Sequence, residues 1–293
     1  MAPVAVVTDS TSYLPADLVE RHGITVVPLY VVFGPDRTVR ETEITDYPAF
    51  FDELRQAETL PKTSQPSVGD FVSAYEPLLQ EGREVISIHI SGGLSGTPEA
   101  ARQAAEALAR DGRGGERVRV FDSTTAAGGL GFVVLAAVAA AASGASVDEV
   151  ERAVKEARKE MKMWFAIDTL EFLRRGGRIG AASAWIGSTL RVKPILTVET
   201  EMSPVERVRT SARMFERMVD YARQRHDSGA DGWAVQHINA PEMCARLVER
   251  CTDVFGCDAA YVSEVGPVLA AHTGPGLLGV GAVPTRFLPA DSA

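Results

Sequence analysis

The chain has 293 residues, with 30 Lys and Arg against 39 Asp and Glu, for a net charge of −9 at neutral pH. This length builds one large or two ordinary domains, and a content of 45% hydrophobic and 24% charged residues is that of a folded soluble protein. The acidic balance argues against nucleic acid as a partner, because phosphate binding needs a basic face.

The N-terminus, "MAPVAVVTDS", enters a strand directly, with no basic n-region or cleavage site, so no signal peptide is expected. A helix starting at Pro15 and stopped by Gly23 follows the "VAVVT" strand. "ITVVPLYVVFG" is extended and β-branched, with "RTVRETEI" as an edge partner. Thr45 or Asp46 caps "YPAFFDELRQAE", and Ser67 with Asp70 forms a capping box ahead of "VGDFVSAYEPLLQEG". "EVISIHI" and "RVRVFDS" are further strands, each leading into a helix of small residues. The run "AAGGLGFVVLAAVAAAASG" (126–144) is long, but alanine and glycine dominate it and no basic flank anchors it. It reads as a buried helix, apolar all round. Ser146 and Glu149 cap a helix in which Val147, Val150, Val154, Ala157 and Met161 share one face.

This βαβα alternation implies an α/β domain of three layers around a mostly parallel sheet. The second half reads differently. "MWFAID" and "KPILTVE" are strands around the glycine-punctuated helical segment "TLEFLRRGGRIGAASAWIGSTL"; "PVERVRT" and "GWAVQHI" are strands, and "SARMFERMVDYARQRH" and "PEMCARLVERCTDVF" are helices. An α+β domain is expected there, dividing the chain into 1–165 and 166–293. Cys244, Cys251 and Cys257 fit no zinc knuckle or CxxC pair, and their odd number fits no secreted disulfide framework, which points to a reduced, cytoplasmic setting.

Candidate chemistry gathers at turns. "ISGGLSGTPEA" carries a strand into a helix through Ser95. Gly93-Leu94-Ser95-Gly96-Thr97 is one glycine short of the G-x-S-x-G nucleophile elbow, and no base or orienting acid is nominated for hydrolysis. Three readings of Ser95 stand open: a nucleophile, a cap of the helix beginning at Pro98, or a donor holding an anion at the helix N-terminus. "PKTSQPS" sets Thr63 and Ser64 in a turn ahead of a second capped helix. Thr63 would face Ser95 across the C-terminal edge of the sheet, where open α/β sheets bind ligands.

Asp9 ends the first strand, yet a phosphatase of the haloacid-dehalogenase type would need a second Asp where Thr11 stands, so it reads as a turn or cap. Arg178 follows the Gly176-Gly177 turn and suits a phosphate. His272 precedes a Gly-Pro-Gly bend beside a glycine-rich loop. The five histidines form no ligand pair, so no metal is expected, and no phosphate-loop or dinucleotide fingerprint is present, so no nucleotide cofactor is expected either.

Taken together, "VTDSTSYLP", "PKTSQPS", "ISGGLSGT", "FDSTTAAGGLG", "LRRGGRIG" and "HTGPGLLGVG", in this order, resemble the DegV family of bacterial fatty-acid-binding proteins, the acyl-carrying subunits of fatty acid kinase. The resemblance implies a fatty acid buried between the two domains. Its carboxyl group would be held by Thr63 and Ser95, with Arg178 and His272 near that end, facing an ATP-binding kinase subunit. It implies a lipid-binding role with no catalytic residue of the chain's own, and transient contact with a membrane surface. The family pattern often reads "SSxLSGT", whereas here Gly92 replaces the second serine.

On this reading Ser95 is a hook. A sequestered acyl chain gains about 0.8 kcal/mol per CH₂, roughly 10 kcal/mol in all, and the carboxyl end needs only neutral donors. "FVVLAAVAAAA" and "SAWIGSTLRV" are the expected tunnel linings. The rivals are an acyl hydrolase or acyltransferase using Ser95, and a phosphatase using Asp9.

Overall fold

The structure, a computed structural model, describes residues 3–57, 59–186 and 192–290. β1 (Val4–Asp9) is buried along its whole length, and Asp9 caps the single 3-10 turn that follows. α1 (Ala16–Arg21) leads to β2 (Thr25–Val27), and beyond Pro28 the hairpin of β3 (Tyr30–Phe33) and β4 (Arg37–Arg40) begins. Asp46 caps α2 (Tyr47–Gln56) through the Ala49 N–H. Residues 62–64, expected to be a turn, form β5 (Lys62–Ser64), which pairs antiparallel with β3. The capping box of Ser67 and Asp70 opens α3 (Val68–Gln80). β6 (Glu84–His89), α4 (Thr97–Arg110), β7 (Val118–Asp122), α5 (Gly128–Ala142) and α6 (Val147–Glu160) follow, α6 behind its own capping box.

The rest of the chain supplies β8 (Lys162–Ala166), α7 (Glu171–Arg175), β9 (Lys193–Glu199), β10 (Glu201–Val208), α8 (Ser211–Asp227), β11 (Gly232–His237) and α9 (Pro241–Phe255). It closes with β12 (Tyr261–Glu264), α10 (Pro267–Thr273) and β13 (Leu278–Val283). The glycine-rich "LGVGAV", expected as loop, is therefore a fully buried strand.

Two sheets organise these elements. The first runs β2-β1-β6-β7, all parallel, and the second runs β10-β9-β8-β13-β11-β12, mostly antiparallel. Alternation along β1 sends Ala5 and Val7 to a core under α3 and α4, and Val4 and Val6 to a core shared with α5 and α6. α5 also meets Ala234 and Val283 of the second sheet, so it is sandwiched between the sheets. The outer face of the second sheet packs on α8 and α9 through Trp233, Val235 and Val280. This explains the apolar 126–144 run: a helix covered on both sides needs no polar face. Among the described residues no helix is long and apolar enough to cross a membrane.

The strand order reverses beside β1, with β2 on one side and β6 on the other. Such a switch point leaves a crevice outside the carboxyl ends of the strands. Here α10 and the β3–β5 sheet roof that crevice, with Val31, Phe50, Leu196 and Val268 in one shared core.

Candidate functional site

A cavity of about 210 Å³ lies at this crevice, and Thr63, Ser95, Arg178 and His272 all line it. One buried water needs roughly 10–15 Å³, so the space suits a far larger guest. Much of the remaining wall is apolar, with Leu173, Val198, Met202, Val265 and Leu277 among its members, and Gln65, Thr125 and Gln236 add polar side chains to it. One expectation about the wall is overturned: no residue of 132–142 lines it. α5 is consumed by the core between the sheets, and only Thr125, Ala126 and Ala127 just before it reach the cavity. Ala127 does so at φ 51°, a conformation rare for a residue with a Cβ. The second expected lining, "SAWIGSTLRV", lies partly outside the described residues, and its described members 183–186 and 192 are not on the wall.

Two of the polar residues are joined directly. Thr63 Oγ1 lies 2.7 Å from His272 Nε2, joining β5 to the last turn of α10. Burial, with a further push from the Arg178 guanidinium, lowers the His272 imidazole to about 4, so the ring is neutral near pH 7. Its Nδ1 is buried without a partner, lodged against Gly176. A buried orphan N–H is rarer than a buried orphan acceptor, which places the ring proton on Nε2. Nε2–H then donates to Thr63, and the threonine proton is free to point at a guest. Arg178, exposed at the mouth, donates to the Leu94 and Gly176 carbonyls and so holds the "LSGT" loop beside the end of α7.

Ser95 sits one residue before the N-cap of α4, which begins at Thr97 rather than Pro98. Its Oγ lies 2.8 Å from Thr97 Oγ1 and accepts from the Thr97 N–H at 3.3 Å. No imidazole or carboxylate among the described residues is bonded to it, so nothing is placed to activate it as a nucleophile.

A relay of the serine–histidine–aspartate kind does exist elsewhere. Ser87 Oγ lies 2.7 Å from His89 Nε2, and His89 Nδ1 lies 3.1 Å from Asp9 Oδ2. All three residues are fully buried and none lines the cavity. Asp9 also accepts from the Thr11 and Ile90 N–H groups, so its carboxylate is spent on holding the ends of β1 and β6 together. This rules against Asp9 as a phosphatase nucleophile.

Gly92 has a local explanation. Its N–H donates to both oxygens of Asp122, and a Cβ on it would come within 2.6 Å of Asp122 Oδ2. The carboxylate thus occupies the space a serine side chain would need.

Three residues escaped the sequence reading. Gln65, inside the "TSQPS" motif, lines the cavity, as does Gln236 from near the end of β11. Glu41 lies behind the wall, fully buried, where it accepts from Tyr13 Oη at 2.7 Å, from the Val268 N–H at 2.8 Å, and from Ser10. Burial raises its carboxyl to about 7. An amide breaking the apolar run "GWAVQHI" was the available signal for Gln236; nothing local marked Glu41. Among the described residues no group of three or more potential metal ligands is found.

Comparison with known proteins identifies the fold and the family. The DegV domain-containing protein SCO2569 of Streptomyces coelicolor is 43% identical over 281 residues, covering 94% of this chain and 97% of that one. Protein DegV of Bacillus subtilis is 36% identical over 280 residues, covering 94% and 98%. Among solved structures, a DegV family protein from Thermus thermophilus, described for its fatty acid binding, superposes with a TM-score of 0.87 at 35% identity, covering 96% and 99%. The fatty acid binding protein DegV from Bacillus subtilis gives 0.86 at 34%, covering 97% and 99%. A family model described as an uncharacterised protein of the DegV family matches residues 3–285, and with it the chain belongs to the DegV family.

Proposed function

We propose that this chain binds one long-chain fatty acid end to end in the cavity and presents its carboxyl group to a separate ATP-binding kinase subunit, which phosphorylates it to an acyl phosphate. The observation carrying this reading is the joining of a hydroxyl-bearing rim to a largely apolar interior in one cavity. Two relatives described as fatty acid binding share the fold at about one-third identity.

The division of labour follows from the chemistry. Burying the acyl chain contributes about 0.8 kcal/mol per CH₂, so the interior supplies most of the gross affinity. The carboxyl end is met by the freed Thr63 proton and by Ser95, both neutral, which limits the desolvation cost of a buried ion pair. In the transfer, a carboxylate oxygen attacks the γ-phosphorus of ATP and ADP leaves, so no general base is required of this chain. The new phosphate brings charge to the mouth, where Arg178 offers a planar fork of donors. The chain acts as a carrier rather than an enzyme, in a reducing cytoplasm where Cys244, Cys251 and Cys257 stay free thiols, with transient contact with a membrane surface for acyl exchange.

The test is to purify the protein, extract it with organic solvent and quantify the acyl chains, with native mass spectrometry on the intact complex. About one fatty acid per chain is expected. A lipid-free preparation that also fails to take up added fatty acid would overturn the reading.

A further inference from the structure

Gln236 is the anomaly of the apolar interior. It stands in the second sheet, on the same face as Ala234, and is fully buried although it is among the residues that line the cavity. One end of that amide is used, since Nε2 donates to Ser263 Oγ at 2.8 Å. The other end is not: Oε1 is buried with no hydrogen-bond partner. It rests against Gly128 at the start of α5, where a Cβ would meet it at 2.9 Å and the Met163 thioether at 2.7 Å. Its neighbours there include a methionine and a helix backbone, and none of its hydrogen bonds is to Thr63, Ser95, Arg178 or His272.

Leaving an amide acceptor buried and unpaired is costly. If grease were all the site had to accommodate, leucine or methionine would serve without that cost. We propose that Gln236 is a specificity-determining residue, selecting acyl chains that carry a hydroxyl group part-way along their length. This rests on the fatty-acid reading of the same cavity.

A hydroxyl is the group the geometry suits. With Nε2 on Ser263, Oε1 accepts the ligand's proton. With the amide turned over, Oε1 accepts from the Ser263 hydroxyl instead and Nε2–H donates to the ligand oxygen. A hydroxyl answers both orientations, a ketone only the second, and a plain methylene neither. Discrimination of this type is steep, because the unsubstituted competitor leaves the amide unpaired.

The test uses the full chain, stripped of lipid, with stearic acid and its 10-hydroxy and 12-hydroxy derivatives as probes. Affinities are read by displacement of a fluorescent fatty acid, for the natural protein and for Gln236→Leu and Gln236→Met. The natural protein should bind at least one hydroxy acid more tightly, relative to stearate, than either variant does. The preference should drop about fivefold or more, the yield of one net hydrogen bond, while stearate binding holds or tightens. An equal ratio in all three proteins, with stearate bound well, would mean that a trapped water serves the amide and would overturn this inference alone. Should the variants fold poorly, weaker binding of both hydroxy acids than of stearate by the natural protein overturns it equally. Failure of the natural protein to bind any of the three acids would remove the fatty-acid reading and this inference together.

Discussion

Thr63 and His272 are 209 residues apart in the chain and 2.7 Å apart in space, threonine hydroxyl to imidazole Nε2. The contact orients the threonine hydroxyl, because an Nε2–H donor takes one of its lone pairs and turns its own proton away from the imidazole. Thr63→Val removes that hydroxyl at nearly constant volume, and Ser95→Ala removes its counterpart across the rim. Each should weaken fatty-acid binding by about 1 kcal/mol, or about 3 if a charged carboxylate loses its partner. The double variant should lose less than the sum, since both act on one group. Titration with a fluorescent fatty acid checks this, and unchanged affinity in both single variants would place the anchor elsewhere.

Arg178 and His272 should matter for the phosphorylated product more than for holding the lipid. Arg178 is exposed at the mouth, and among the described residues it donates to two backbone carbonyls and pairs with no carboxylate. Arg178→Ala should therefore bind fatty acid nearly as well as the natural protein. With a kinase subunit and ATP supplied, it should lose most acyl-phosphate formation, as should His272→Ala. The isolated natural chain should form none. Full activity in both variants would return these residues to a purely structural role, and acyl phosphate made without a kinase would overturn the carrier assignment.

The parts of the molecule legible in the sequence were those set by local chemistry. Asp46, the Ser67–Asp70 box and the Ser146–Glu149 box each cap the helix expected of them, because a cap is decided within four residues. β5 and β13 were not legible for the opposite reason. β5 is three residues between prolines and exists only because β3 lies beside it. β13 is rich in glycine, a poor strand former, and is held by β8 and β11 on either side. The four rim residues were found through motifs that survive as short words. The cavity wall was not, since an apolar helix such as α5 declares that it is buried but not against what.

Gly92 offers a check on the local origin of that motif. Restoring a hydroxyl with Gly92→Ser would bring the new Cβ against Asp122, whose carboxylate already accepts from the Gly92 and Thr124 N–H groups. The expected result is a loss of stability of about 1–3 kcal/mol from overpacking, with no gain in fatty-acid affinity, because Gly92 is not on the cavity wall. Urea denaturation and lipid titration on the same preparation separate the two effects. Tighter binding at unchanged stability would show that the loop can turn the new hydroxyl inward.

The last prediction concerns pH and the seven-residue helix α10, which has one shifted group at each end. At its start, Glu41 accepts from the Val268 N–H and, held in burial, has its carboxyl raised from 4.5 to about 7. In its last turn, His272 is lowered from 6.5 to about 4. The consequences for stability have opposite signs. The folded state holds the Glu41 proton more tightly than the unfolded chain does. That contribution is complete below about 4.5 and is lost as pH rises to about 7, a span of about 3 kcal/mol. The unfolded chain instead binds the His272 proton more tightly, so its contribution is complete above about 6.5 and is lost as pH falls toward 4. In the natural protein the two slopes oppose each other between about 4.5 and 6.5. Glu41→Gln keeps the shape and removes one titration, so stability measured by urea unfolding should rise with pH across this window more steeply than in the natural protein. His272→Gln removes the other, and stability should fall with pH instead. Profiles for the two variants that run parallel to that of the natural protein would show that neither group titrates with the fold, and would return α10 to the status of a simple packing element.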